Sequence, residues 1–181
     1  MVGEDIPKQS RESYLCGVLG VLSGCLQDVV GIAEARGYLS VVGHTVGEKV
    51  NQAYLDDHGC EHLSRDQMIN ALVDFKNRVG GGFEIASTTA ETVEFHNCRC
   101  PFGDQVKGRP SLCMMTSAIF GYIAAESVGY ARVELLETIA LGNGRCVVRV
   151  NFDPETGGEG VEFYRVKDLD LLTDDAGQGE T

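Results

Sequence analysis

Three consecutive glycines, Gly80-Gly81-Gly82, separate two halves of this chain that carry different hydrophobic periods. Before them apolar residues recur every three or four positions, the period of a helix face. After them apolar and polar residues alternate, the period of a half-buried strand. Glycine enters the left-handed region at little cost, so a run of three ends a helix and turns the chain. The fold class read from this switch is α+β: N-terminal helices followed by a mostly antiparallel sheet in β-hairpin–helix–β-hairpin order.

In the first half, Leu15, Val18, Leu19, Leu22, Leu26, Val29 and Val30 mark the stripe of a helix that begins at Ser10. Gly17, Gly20 and Gly24 lie among them. Each weakens a helix by about 1 kcal/mol relative to Ala, so three together predict close packing against another helix. A second helix carries Val42, Val46, Val50 and Tyr54, with Gly43 and Gly47 one turn apart. Two readings stand for these small-residue faces: packing inside the chain, or a homodimer interface. Ser64-Arg65-Asp66-Gln67 has the form of a capping box, and Met68, Leu72, Phe75 and Val79 follow as a buried stripe.

In the second half, Phe83 and Ile85, then Val93 and Phe95, predict two strands joined near Thr89. Ser111 is placed to cap a helix that Gly129 stops. Val133 and Leu135 mark a strand, Gly142-Asn143-Gly144 a turn, and Cys146, Val148, Val150 and Phe152 one side of the next strand. A short strand is expected over 161–166. The organisation read from this is a flexible N-terminus at 1–10, a helical subdomain suited to dimerisation at 11–79, a cysteine-containing α+β sensor domain at 80–170 and a disordered acidic tail at 171–181.

Composition narrows the function. Hydrophobic residues make up 43% and charged residues 23% of 181, which excludes general disorder. Fifteen Lys and Arg stand against 27 Asp and Glu, a formal net charge of −12. Such a surface repels nucleic-acid phosphates and anionic membranes alike. The apolar stretch 14–26 is closed by Gln27 and Asp28 and reads as too short to span a bilayer. Glu4 and Asp5 stand where a secretory signal would be basic. The expected compartment is the cytoplasm, with reduced thiols.

Seven cysteines, an odd number, cannot all pair. In a reducing compartment, clustered cysteines point to metal or redox chemistry. Cys98 and Cys100 leave a strand end, Cys113 lies in the first turn of a helix, and Cys146 begins a strand. These elements can meet at one edge of the sheet. The expected site is therefore an iron–sulfur cluster or a zinc ion held by Cys98, Cys100, Cys113 and Cys146. His96 is an alternative ligand to Cys98, which shares strand parity with Cys100. The helix start favours a Cys113 thiolate through free N–H groups and the helix dipole. Cys16, Cys25 and Cys60 read as small packing residues. Glu134 and Glu137 read as solvated strand residues.

The stretch with Cys100-Pro101-Phe102-Gly103, Pro110-Ser111-Leu112-Cys113, Met115-Thr116, Gly121, Ile139-Ala140-Leu141-Gly142 and Cys146 resembles the methanogen output domains. These are related to the 4-vinyl-reductase-like ligand-binding superfamily. Gly80-Gly81-Gly82-Phe83 and the glycine-rich helices extend the resemblance to about residues 11–153. It implies a regulatory module that binds a metal, cluster or small ligand, with the recurring cysteines carried onto Cys100, Cys113 and Cys146. It also implies an attached DNA-binding or signalling domain. None is recognisable in this sequence, so the expected action is through a partner protein.

Three functions follow. The first is a sensor whose iron–sulfur or metal centre moves the loop 97–110 and signals through dimeric N-terminal helices. The second is a zinc-stabilised module binding a small apolar ligand. The third is a hydrolase with Cys100 or Cys113 as nucleophile and His96 as base.

Overall fold

A computed structural model describes residues 10–165. Residues 1–9 of the expected flexible segment 1–10, and the expected acidic tail 171–181, lie outside the described residues. Four helices come in the order α1 (Arg11–Val30), α2 (Ile32–His58), α3 (Arg65–Arg78) and α4 (Cys113–Val128). The strands are β1 (Glu84–Thr88), β2 (Thr92–Asn97), β3 (Tyr130–Glu137), β4 (Cys146–Asn151) and β5 (Val161–Tyr164). They form one sheet in the order β1-β2-β4-β3-β5, antiparallel at every pairing. The α+β class and the helices-first order stand as read.

Local chemistry sets several boundaries. Ser10 accepts from the Ser13 N–H at 3.1 Å and opens α1. The capping box at α3 is complete: Ser64 Oγ accepts from Gln67 N, and Ser64 N donates to Gln67 Oε1 at 2.9 Å. Gly80 and Gly82 take φ values of 81° and 61°, which turn the chain from α3 into the sheet.

The core lies between the sheet and the helices. Phe120 of α4 is fully buried and meets Phe83 and Phe95 edge-on, at centroid distances of 5.6 and 5.3 Å. Met68 and Leu72 of α3, with Val93, Val133, Val148 and Val150 of the strands, close the same core. α2 crosses α4 at its glycines. A Cβ on Gly43 would stand 2.9 Å from the Met115 backbone, and one on Gly47 would stand 3.3 Å from Ile119 Cα. Internal packing therefore accounts for this pair.

The glycines of α1 behave differently. Gly20 and Gly24 face the side chains of Gln105 and Arg109, which belong to the loop between β2 and α4, and Gly17 faces open space. Among the described residues no second helix fills that face. The inward residues of α1 are Gly20 and Ser23, while Tyr14, Leu15, Leu19, Val21, Leu22 and Val29 stand exposed. The expected apolar stripe is thus outward. α1 also runs 20 residues, and by length and composition both Arg11–Val30 and Pro110–Val128 could cross a bilayer, which corrects the shorter estimate from residues 14–26. The second of these is the core helix.

The opposite sheet face is polar. Glu94 of β2 bonds His96 at 2.9 Å and Arg149 of β4 at 2.9 Å, and Arg149 reaches Glu134 of β3 at 3.5 Å. Buried Arg132 pairs with Glu134 at 3.2 Å. Glu134 is therefore a nearly buried network residue rather than a solvated one, because β3 and β4 bring Arg132 and Arg149 beside it. Glu137 is paired with Arg145 at 3.0 Å. The bulge between Leu135 and Glu137 moves the register, so Glu137 rather than Leu136 faces Val147.

Candidate functional site

One end of the core opens into a narrow cavity of about 30 Å³, room for roughly two waters. Phe83, Asn97, Cys100, Phe102, Leu112, Cys113, Leu135, Ile139 and Cys146 are among its lining residues. The topology explains the gathering. Asn97 ends β2 and pairs with Cys146 at the start of β4, so both occupy the edge nearest the start of α4. The loop from Cys100 to Val106 then folds across this edge. Three of the four expected cysteines thus share one cavity.

The fourth does not. Cys98 is exposed and does not line the cavity. His96 lies on the polar sheet face, bonded to Glu94, which removes it as a ligand beside these thiols and as a base for Cys100 or Cys113. The parity of β2 sends residues 95 and 97 inward and residue 96 outward. Cys25 is exposed rather than packed, and Cys60 is half-buried against the core. Cys16 donates to Pro101 O at 3.6 Å and so ties α1 to the cysteine loop.

The surroundings favour the neutral form of the three thiols. Burial pushes the Cys113 thiol up to about 12 and raises Cys100 and Cys146 above the usual thiol value. Desolvation of Cys113 therefore outweighs the helix-start advantage expected from its sequence position. Ser111 does not cap α4 either. It sits in a 3₁₀ turn, Pro110–Leu112, and its hydroxyl meets Ser23 Oγ at 3.0 Å and donates to Gln27 Oε1 of α1. Among the described residues, no group of three or more His, Cys, Asp or Glu is disposed to hold a metal ion. The four-cysteine iron–sulfur or zinc centre has no support in this arrangement.

A residue that the sequence reading passed over stands beside the thiols. Lys76 of α3 is only 4% exposed. Its Nζ donates to the cavity residue Thr116 at 2.8 Å, and the rings of Phe83 and Phe120 lie 5.5 Å away. Cys100, Cys113 and Cys146 are within its electrostatic reach, and burial brings it down to about 8. The available signal was its spacing: Lys76 falls four residues after Leu72, on the buried stripe. Asn97 was passed over as well. Its Nδ2 donates to Gly81 O at 2.9 Å and to Arg99 O, which fastens the triple glycine to the cysteine loop. Its Oδ1 is buried and has no hydrogen-bond partner among the described residues, and Asn97 lines the cavity.

The cavity thus lies between the core helix α4 and the antiparallel sheet, walled mainly by apolar groups with a few polar ones. The chain belongs to the methanogen output domain 1 family, matched over residues 18–151. Among solved structures it is similar to the phenol-responsive sensory domain of the transcription activator PoxR with phenol. That likeness has a TM-score of 0.64 at 15% identity, over 75% of this chain and 73% of that one. It is also similar to a trafficking protein particle complex subunit 3 from Naegleria fowleri covalently bound to palmitic acid. Here the TM-score is 0.54 at 13% identity, over 80% of this chain and 99% of that one. No curated protein matches the chain by sequence.

Proposed function

We propose that this chain is a sensory module that takes a small, largely apolar ligand into the cysteine-walled cavity and reports its presence through α1. The carrying observation is that one segment, residues 100–113, both walls the cavity and holds α1. Cys100, Phe102, Val106, Leu112 and Cys113 face the cavity. Pro101, Gln105 and Ser111 meet Cys16, Gly20 and Ser23 on the inner side of α1. The cavity is too narrow for anything much larger than water. A ligand therefore enters only as this segment yields, and α1 rides on the segment.

The exposed apolar side of α1 supplies the output. It is suited to a second copy of this chain, in keeping with an apolar face that no part of the described chain covers. Ligand entry would then alter the pairing of two copies. The fold shared with a phenol-responsive sensory domain supports the class of signal. Substoichiometric iron and zinc are the expected result for protein purified without oxygen. A stoichiometric content of either would restore the four-cysteine centre.

Cysteine protection tests the cavity. Protein is treated with iodoacetamide in the presence of benzoate, benzyl alcohol, hexanoate or hexan-1-ol, and each site is followed by mass spectrometry. At least one compound should slow labelling of Cys100, Cys113 and Cys146 while the exposed Cys25 and Cys98 react as before. If none of the four protects, the ligand-cavity reading is abandoned.

A further inference from the structure

We infer that the ligand carries a single acidic group, held as its anion against the hydroxyl of Thr116 and the ammonium of Lys76. This rests on the reading of the cavity as a ligand site and names the chemistry that site selects. A buried ammonium costs several kcal/mol unless it is paired and fully hydrogen-bonded. Lys76 makes one side-chain hydrogen bond among the described residues, to the neutral hydroxyl of Thr116, and no carboxylate pairs with it there. Aromatic rings offset part of the cost. The three thiols that face it are kept protonated by burial, so none supplies the missing negative charge. Burial lowers Lys76 to about 8, and the neighbouring cysteines act against that shift.

Lys76 thus stands directly behind Thr116 at the wall of a mostly apolar cavity, with no anionic partner among the described residues. Because Thr116 Oγ1 accepts from Lys76, its own O–H remains to donate, and the ammonium strengthens that donor. Asn97 lines the same cavity, and its buried Oδ1, an acceptor unpartnered among the described residues, disfavours an anion beside it and places the acid group on the Thr116 side. It leaves room for a donor on the ligand, a hydroxyl or an N–H, at the other side. The class that fits is a small apolar monocarboxylate.

The test compares acid and alcohol of matched shape, benzoate with benzyl alcohol and hexanoate with hexan-1-ol, by titration calorimetry on the full chain. Wild type should bind the acids more tightly. Lys76→Met should lose about 30-fold or more of the acid affinity, as when one partner of a buried charged pair is removed. Its alcohol affinity should stay within about twofold, the size of an ordinary surface effect. Thr116→Val, which keeps the lysine and the side-chain shape, should also lower the acid-to-alcohol ratio, and this decides the matter if Lys76→Met does not fold. Alcohols bound as tightly as acids would overturn the acid anchor and leave the cavity reading standing. So would acid binding unchanged in the variants. Failure of all four compounds would overturn both.

Discussion

α1 and α4 are made from much the same material and placed in opposite ways. Both are long, apolar helices of nearly equal mean hydropathy, yet 56% of the α4 segment is buried against 11% of α1. α4 is covered by α2, α3 and the sheet, so its apolar side chains are inside on all sides. α1 turns Gly20 and Ser23 inward and its leucines and valines outward. Composition alone therefore does not choose between core and interface. What decides is whether neighbouring elements supply a matching apolar wall or, as at α1, a polar loop that accepts only small residues.

Cutting into each helix gives the largest contrast. Phe120→Ala should cost about 3–5 kcal/mol in denaturant unfolding, because a fully buried ring leaves a cavity. Leu22→Glu should cost about 0.5 kcal/mol or less within the chain, since Leu22 is 60% exposed. It should nonetheless convert a dimer to a monomer in light scattering. Loss of stability without change in mass would assign the outer face of α1 to the fold instead.

A glycine pair sharpens the same comparison. Gly43→Ala should destabilise by about 1–3 kcal/mol, because its Cβ meets the Met115 backbone at 2.9 Å. Gly17→Ala meets nothing and should stabilise α1 by up to about 1 kcal/mol. Equal thermal shifts in the two variants would contradict the difference in packing between α1 and α2.

The smallest effect is a pH dependence from the charge beside the cavity. Lys76 falls from 10.5 to about 8 in the folded chain, so between those values the unfolded state binds more protons and stability rises with pH. Cys113, raised from 9.0 to about 12, acts in the opposite sense above 9, where the unfolded state loses its proton first. Cys100 and Cys146, also raised, act as Cys113 does, so the lysine is read as a difference between variants. Between pH 8 and 9 wild type should gain about 1 kcal/mol relative to Lys76→Met. Parallel profiles would mean that the lysine is more solvated than its burial indicates.

Much of this was legible in the chain. The triple glycine, the Ser64 capping box and the alternation through 83–96 fixed where helices end and strands begin, because backbone conformation and side-chain period act locally. The gathering of Cys100, Cys113 and Cys146 was legible as well, since a strand end, a helix start and a neighbouring strand start meet wherever hairpins flank a helix. The chemistry of that gathering was not. A thiolate at Cys113 follows from its place in the chain, but desolvation depends on what is stacked over it. Ser111 has the right spacing for a cap and spends its hydroxyl on α1 instead. Lys76 reads as an ordinary helix-terminal cation until Phe83 and Phe120 close around it.

By itself, then, the sequence determined the class of fold and the helix boundaries at its glycines and caps. These depend on dihedral freedom and on a period of two or of three to four residues, which neighbours along the chain establish. Only the tertiary structure decided that Lys76 is buried, that His96 and Cys98 lie away from the cavity and that the apolar side of α1 is its outer side. Burial and charge pairing depend on which surfaces meet across long sequence separations, and no local pattern encodes them.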